Sequence, residues 1–265
     1  MKCAVLGVGV FGPGLLSWQE ARAVFRDEAA YAHLESILPP AALLPPAERR
    51  RAPPTTRLAL TAAQDALAAS GVDPKTVPVV FATSSGSGDV IHDICAMLAA
   101  DDTQISPTKF HNSVHNAASG YYSIAAGSHR GATSLCAHDG SAVAGLLEAA
   151  VQVADGGETV LLVAFDAPYP FPLSAARPMS DSWAIGLLLG DRECASPLAR
   201  LTFSVADGTI AESTVAEPAL EAARVHNPTA RLLPLVAAIA RRDGSTLQRI
   251  VLRQQNGGSL HVEVT

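Results

Sequence analysis

The sequence predicts an α/β protein built on a mixed β-sheet, and three observations carry that prediction. Apolar runs of strand length alternate along the chain with segments whose apolar residues recur at helix spacing. Residues 159–165 are apolar almost throughout, which is typical of a strand covered on both faces. Residues 247–253 and 259–265 flank Asn256-Gly257-Gly258 and give the strongest hairpin signal in the chain.

The N-terminal part predicts one strand and two helices around a proline-rich segment. Residues 3–10 are apolar and lead into Gly12-Pro13-Gly14, which indicates a buried strand. Residues 15–34 have helix spacing. Six prolines between residues 39 and 54 predict a loop or an extended linker. We expect a helix from about Thr55 or Thr56, acting as its cap, to Ser70 before Gly71.

The middle of the chain repeats the order of strand and helix. Residues 77–83 are rich in valine and predict a strand, which a turn of serines and glycines joins to a helix at 89–100. A short β-like run at 131–135 leads through Cys136 into a helix of small residues at 142–150. The next strand is the apolar run at 159–165.

The C-terminal part predicts two further strands and two helices before the hairpin. Residues 183–189 form an apolar run, and the strand at 200–205 is expected to pair beside it. Helices are predicted at 218–224 and 232–241. The chain has no repeat of solenoid length, so we expect a single domain over residues 1–265.

Bulk properties exclude several classes of function. The 265 residues are 48% hydrophobic and 17% charged, which allows one large buried core. A net charge of -6 provides no field for nucleic acid, so we expect no nucleic-acid partner. The four cysteines lack zinc-ligand or disulfide spacing, which predicts no metal site and favours a reducing, cytoplasmic location. No apolar run has the length of a membrane span, and the glycine-laced start is unlike a signal peptide.

Two glycine motifs invite a nucleotide or phosphate interpretation. Gly7-x-Gly9-x-x-Gly12 matches a dinucleotide fingerprint, but that mechanism needs a helix at the last glycine and a second strand after it. Pro13-Gly14 interrupts the turn, so we expect no nucleotide cofactor. The turn at 84–88 has no lysine, and a tight connection between strand and helix explains its glycines equally well.

Cys136 lies where a predicted strand turns into a helix, which is how many enzymes present a nucleophile. Such a turn exposes the sulfur, and a helix N-terminus favours the thiolate form of a cysteine. His138 and Asp139 follow closely and suggest a Cys-His-Asp group. Residues so close in sequence do not usually form a triad, because base and orienting group must approach from other elements.

Residues 105–149 resemble the N-terminal half of the β-ketoacyl synthases. The family's Ser-Pro…Pro-Asn-Met-Ala-Ala-Gly pattern matches Ser106-Pro107 and His115-Asn116-Ala117-Ala118-Ser119-Gly120 without a gap. Its Thr-Ala-Cys-x-x-Gly elbow is matched approximately by residues 135–140, here called the elbow. The resemblance covers about residues 1–190. It implies a thiolase-like half-fold, one of the two βαβαβαββ units of the full fold, with a short C-terminal α/β extension at 191–265.

The resemblance leaves two registers open at the elbow. Counting back from Gly140 puts Ala137 at the nucleophile position, which we favour, whereas counting forward from Gly120 allows Cys136 there. In the first register Cys136 is a small buried apolar residue. The family's two C-terminal catalytic histidines have no counterpart, since His226 and His261 sit in neither motif. The degenerate elbow residues Cys136, Ala137, His138 and Asp139 therefore imply no catalytic residue.

The resemblance further implies a type of subunit. Chain-length factors are catalytically silent ketosynthase-like chains that pair with an active ketosynthase, and a short version accompanies the ketosynthases of aryl polyene and xanthomonadin-type pigments. Residues 134–139, followed by Ala-Gly-Leu-Leu-Glu-Ala, look like that version. Expected partners are a full-length ketosynthase, paired through the strand at 131–135, and an acyl carrier protein reached through the complex.

The candidate tunnel and interface residues follow from the same match. They are Lys109, Phe110, His111, His115, Asn116, Ser134, Leu135 and Cys136. Two alternatives stay open beside the silent subunit. One is an active acyltransferase or ketosynthase that uses Cys136, and the other is a homodimeric module that binds a small molecule.

Overall fold

A computed structural model describes residues 1–35, 37–208, 210–244, 246–255 and 257–265. Its strands are β1 (Lys2–Phe11), β2 (Val79–Ala82), β3 (Ala132–Leu135), β4 (Val160–Asp166), β5 (Trp183–Gly190), β6 (Ala199–Ala206), β7 (Gln248–Arg253) and β8 (Ser259–Val264). Its helices are α1 (Trp18–Phe25), α2 (Pro46–Arg51), α3 (Pro54–Ala68), α4 (Gly88–Ala99), α5 (Pro107–Asn112), α6 (Ala117–Ala126), α7 (Ser141–Gly156), α8 (Leu173–Ala176), α9 (Pro218–His226) and α10 (Leu233–Ala240). Three 3₁₀ turns cover Pro74–Thr76, His138–Gly140 and Thr229–Leu232.

The described strands form one mixed sheet in the order β3-β2-β4-β5-β1-β6-β8-β7. β2 is parallel to β3 and to β4, and the other neighbouring strands are antiparallel. The prediction of a mixed sheet is confirmed. The prediction that β6 lies beside β5 is wrong, because β1 pairs with both strands and separates them.

The element order confirms the thiolase-like half-fold. Apart from the single turn of α8, the described chain up to β5 reads βαβαβαββ. β6, β7 and β8 then extend the same sheet with α9 and α10 between them, which forms the C-terminal α/β extension. The hairpin strands β7 and β8 pair as predicted, while Asn256 of the predicted turn lies outside the described residues.

Helices cover both faces of the sheet, and β4 shows this along its length. Val160, Leu162 and Ala164 pack on the face that α7 and α10 cover, whereas Leu161 and Val163 pack on the face that α3 and α6 cover. Every residue of β4 is therefore buried, as its apolar run predicted.

The N-terminal glycines serve packing. A β-carbon on Gly7 would lie 1.9 Å from the carbonyl oxygen of Ala66, and one on Gly9 would lie 2.0 Å from that of Ala62. A β-carbon on Gly12 would meet the ring of Trp183 at 2.4 Å. The two strand glycines thus let β1 approach the backbone of α3, which explains the spacing without any nucleotide.

Local signals that compete with periodicity account for the errors before residue 60. The helix predicted at 15–34 extends only over α1, which Ser17 caps and which ends before Asp27 enters the left-handed region at φ 58°. The proline-rich linker contains α2, with Pro46 in its first turn and three arginines in its last turn. α3 begins with Pro54 rather than with a threonine cap.

The sequence assigned no element to residues 101–126, where the structure contains α5 and α6. It also missed the short α8. Among the described residues, no helix is both long enough and apolar enough to cross a bilayer. All four cysteines are free thiols.

Candidate functional site

The elbow joins the edge strand β3 to α7 through a tight turn. His138 adopts a left-handed φ of 49°, so the strained position of this turn falls on a histidine. The hydroxyl of Ser141 accepts a hydrogen bond from the Ala137 N–H at 2.9 Å and donates one to the His138 carbonyl oxygen at 2.6 Å. This serine fixes the backbone of the turn from the first position of α7.

Cys136 is exposed before the turn, and its thiol has a local partner. Its Sγ–H donates to the carbonyl oxygen of Ser84 at 3.3 Å. The expectation that Cys136 is a buried apolar residue is therefore wrong for the chain by itself. It lies at the sheet edge, where the described residues leave one side of the strand uncovered.

A cavity of about 510 Å³ opens beside Cys136 between the elbow, α7 and the loop after β7. Its walls are mainly apolar, with one carboxylate and two glutamines among them. The lining residues are Leu135, Cys136, Ala137, Gly140, Ala144, Leu147, Glu148, Val151, Gln254 and Gln255. No histidine belongs to this described lining.

A second cavity of about 390 Å³ lies on the other side of the elbow and is charged. His138 and Asp139 line it together with His226 of α9 and two arginines. Arg177 Nη2 lies 2.6 Å from Asp139 Oδ1, and Arg231 Nη2 lies 3.7 Å from Asp139 Oδ2. The structure thus divides the predicted elbow residues between two cavities.

Sequence reasoning missed the arginines and His226. They come from three separate segments that only the fold brings to the elbow, and no local motif marks them. The sequence context of His226 matches no family motif, yet the end of α9 places it in the same cavity as His138 and Asp139.

A buried acid links the ends of β2 and β4 near the elbow. Asp166 accepts hydrogen bonds from the Ser84 N–H, the Ser84 hydroxyl, the Thr83 hydroxyl and the Thr229 hydroxyl at 2.6–3.2 Å. Burial raises the pKa of this carboxyl, and the donated hydrogen bonds act in the opposite direction. The signal in the sequence for this position is an aspartate at the end of an apolar strand run, and the sequence by itself predicts no role for it.

The predicted interface residues on α5 do not join the elbow cavities. Phe110 is 67% exposed, and Lys109 forms an ion pair with Asp93 of α4 at 2.8 Å. The ring of His111 packs edge-on against Tyr121, with centroids 5.9 Å apart. His115 and Asn116 are exposed just before α6, and no side-chain cap bond of Asn116 is present there.

β3 presents an unpaired backbone edge in the described chain. Gly131 and Leu135 accept hydrogen bonds from the N–H groups of Val79, the first residue of β2, and Thr83, the residue after its end. Ala132 and Ser134 alternate with these residues, so their N–H and carbonyl groups point away from β2. The Ser134 hydroxyl lies 3.0 Å from that of Ser119 on α6, which steadies the strand from the side.

Comparison with known proteins gives one family and several structures. Residues 16–247 match the family model of the β-ketoacyl synthase N-terminal domain. That match begins later than the expected resemblance and continues beyond residue 190. No curated protein matches the chain.

Solved structures share the fold at low sequence identity. The ketosynthase ApeO in complex with its chain length factor ApeC from Xenorhabdus doucetiae gives 22% identity and a TM-score of 0.73, over 99% of both chains. The AntDE:AntF structure, a type II polyketide synthase acyl-carrier protein with its ketosynthase bound to the hexaketide, gives 14% and 0.77, over 100% of this chain and 99% of that one. A ketosynthase from module 6 of the bacillaene synthase of Bacillus subtilis 168 gives 10% and 0.68, over 100% of this chain and 70% of that one.

Proposed function

We propose, from the premise that this chain belongs to the β-ketoacyl synthase N-terminal-domain family, that it is a non-catalytic partner subunit of a ketosynthase. In this proposal it acts as a chain-length factor. It pairs with a full-length ketosynthase and shapes the far end of that enzyme's acyl tunnel.

The separation of thiol and histidines carries this proposal. A ketosynthase needs its nucleophile and its histidines around one reaction centre, because the base and the oxyanion donors must meet the same substrate atoms. Cys136 lines the apolar cavity, whereas His138 and His226 line the charged one. Ala137, at the favoured register of the nucleophile, has no side chain that can attack a thioester.

The coverage of the structural matches accords with this proposal. In the two ketosynthase complexes, the match covers at least 99% of this chain and 99% of the matched chain. In the bacillaene ketosynthase, it covers only 70% of the matched chain. The described residues contain one βαβαβαββ unit followed by the short extension.

The open edge of β3 supplies the surface for pairing. An exposed backbone edge with small side chains invites another strand. Exposed apolar side chains lie on α6, which packs against β3, at Ile124, and also on α4 at Ile91 and Leu98 and on α5 at Phe110. Burial of such side chains against a partner is the main source of stability in obligate interfaces.

We also propose a product class for the complex. Residues 134–139 resemble the short chain-length factors of aryl polyene and xanthomonadin-type pathways, and the ApeO–ApeC complex has this fold. The product class we propose is therefore an aryl polyene, built in the cytoplasm on an acyl carrier protein that the ketosynthase partner presents.

Co-expression with a full-length ketosynthase, taken from a neighbouring gene where one is encoded, tests the proposal. We expect a 1:1 heterodimer that buries more than about 2,000 Å² and extends carrier-bound acyl chains only when both subunits are present. Native mass spectrometry and size-exclusion chromatography measure assembly, and chain extension is assayed with each subunit alone and with both. A well-behaved monomer or homodimer that recovers no ketosynthase would contradict the proposal.

A second candidate rests on the exposure of Cys136 beside the 510 Å³ cavity. An accessible thiol next to an apolar cavity of this size suits an acyltransferase that forms a thioester on the cysteine. Mass spectrometry after treatment with a thiol-directed acyl analogue such as cerulenin separates the two candidates. Covalent labelling of Cys136 alone, with turnover by this chain alone, would favour the acyltransferase.

A further inference from the structure

The charged cavity beside the elbow is separate from the pairing edge and from the apolar cavity, and it has a chemistry of its own. Its charged lining consists of two arginines and one aspartate, which leaves a formal charge of +1 with the histidines neutral. The imidazoles of His138 and His226 add ring N–H groups to the same walls. A concave site with an excess of cationic donors favours a negatively charged ligand.

Arg177 is held in place before any ligand arrives. Its Nη2 donates to Asp139 at 2.6 Å, and its Nη1 donates to the Tyr169 hydroxyl at 2.9 Å. Its guanidinium also lies over the Tyr169 ring at 5.6 Å. These contacts hold the Arg177 guanidinium in a fixed position in the cavity wall. Because its charge is already paired with Asp139, Arg177 is less available to a ligand than an unpaired arginine.

Arg231 is in a different state. Its side chain is only 20% exposed, yet no residue in the described part of the chain accepts a hydrogen bond from it. Among the residues that the structure describes, its one ionic neighbour is Asp139 at 3.7 Å, which is beyond hydrogen-bond length and is already bonded to Arg177. The described chain supplies no hydrogen-bond acceptor for the five N–H donors of this partly exposed guanidinium, so they are available to an acceptor that enters the cavity.

We propose that this cavity binds a small oxyanion, a phosphate or carboxylate group, and that Arg231 is its principal donor. A planar guanidinium matches both groups with two parallel N–H···O bonds. The volume of about 390 Å³ accommodates a small metabolite rather than a long acyl chain. This site is independent of the proposed pairing with a ketosynthase, because none of its residues belongs to β3 or α5.

Titration calorimetry of the full chain with inorganic phosphate, and separately with malonate, tests the proposal. We expect saturable 1:1 binding of at least one of them, which weakens as sodium chloride is raised. The anion that saturates at lower concentration identifies the group as phosphate or carboxylate. Saturation by neither anion overturns the proposal.

Substitutions then assign the binding to Arg231. Arg231→Met should raise the Kd about tenfold or more, as loss of a charged hydrogen bond predicts. Arg249→Met is the matched control, because Arg249 forms an exposed ion pair with Glu263 on the distant hairpin and should leave the Kd unchanged. Equal Kd values for the wild type and Arg231→Met, or equal losses in both variants, overturn the proposal.

Two further variants keep the test decisive. Arg231→Lys retains the charge without the planar fork and should raise the Kd by a smaller factor. This variant takes the place of Arg231→Met in the test if Arg231→Met does not fold. Asp139→Asn removes the carboxylate that competes for both arginines, so it should lower the Kd several-fold. Weaker binding by a folded Asp139→Asn variant would mean that the cavity does not act through these arginines.

Discussion

At the scale of single residues, the contacts of each elbow side chain determine the role that it can have. Cys136 donates its thiol hydrogen to the carbonyl oxygen of Ser84, and its described cavity lining contains no histidine. The strained backbone position next to α7 belongs to His138, whose neighbours are the charged groups of the other cavity. In the proposed function Cys136 therefore has a structural role.

Cys136→Ala should leave the output of the assembled pair within a few-fold of the wild type. The change removes one thiol hydrogen bond, whereas loss of a covalent nucleophile lowers the rate by several orders of magnitude. Product is quantified by chromatography from the co-purified complex. The control is alanine in place of the ketosynthase's own nucleophile, which should abolish product. A loss of that size for Cys136→Ala in an intact complex would assign the nucleophile to this chain.

Phe110→Ala should shift the product distribution towards longer chains. Phe110 is a large apolar side chain that the single chain leaves 67% exposed, so it is available to project into a partner's tunnel and block it. Val114→Ala is the control, since Val114 is an exposed apolar residue just after α5 and is not one of the candidate tunnel residues. Mass spectrometry reads product length. Unchanged or shorter products from an intact complex would assign Phe110 to interface packing.

At the scale of elements, both the proposed pairing and the elbow depend on β3, because this strand forms the edge of the sheet and leads directly into the elbow. Only one side of this strand is paired in the described chain. Its four residues are small or of moderate size, which leaves room for a second strand. Pairing with another chain would extend the sheet and cover Cys136 together with the strand.

Ser134→Pro should prevent the heterodimer while preserving the fold of the chain. Proline removes an N–H that points away from β2, and edge strands tolerate it at such positions. Ser134→Ala is the matched control, because it loses the contact with Ser119 but keeps the N–H. Circular dichroism verifies folding, and co-purification measures pairing. An intact heterodimer with Ser134→Pro would exclude pairing through the edge of β3.

At the scale of the whole molecule, the Asp166 network ties the sheet to the C-terminal extension. The carboxylate joins the ends of β2 and β4 to Thr229, and Asn227 beside it donates to the carbonyl oxygen of Asp181. Burial raises the Asp166 pKa above its ordinary value of 3.8. A group whose folded pKa is raised stabilises the fold fully below its unfolded pKa, and that contribution is lost as pH rises through the folded pKa.

The free energy of unfolding of the wild type minus that of Asp166→Asn should therefore fall as pH rises from about 4, and then level off. Asparagine does not ionise, so the subtraction isolates Asp166. Contributions of other acids, such as Glu221 with its lowered pKa, cancel in the difference. Urea titrations between about pH 4 and pH 8 measure the effect. A difference that rises with pH would mean that the donated hydrogen bonds outweigh burial.

The sequence by itself determined the fold class, the mixed sheet and most of the strands. Apolar runs such as that of β4 are buried on both faces wherever they pair, so their pattern survives folding. It also predicted the elbow, because the order of strand, turn and small-residue helix is local. The errors near α1 and α2 arose where single capping or left-handed residues outweigh periodicity.

Only the tertiary structure decided what surrounds the elbow. Arg177, Arg231 and His226 lie 38 or more positions from Asp139 in sequence, and the fold alone brings them to one cavity. The tertiary structure also decided the order of the strands in the sheet, since β1 separates β5 from β6 through contacts between distant segments. The physical reason is shared: periodicity reports which face of an element is buried, whereas long-range packing selects the partner that buries it.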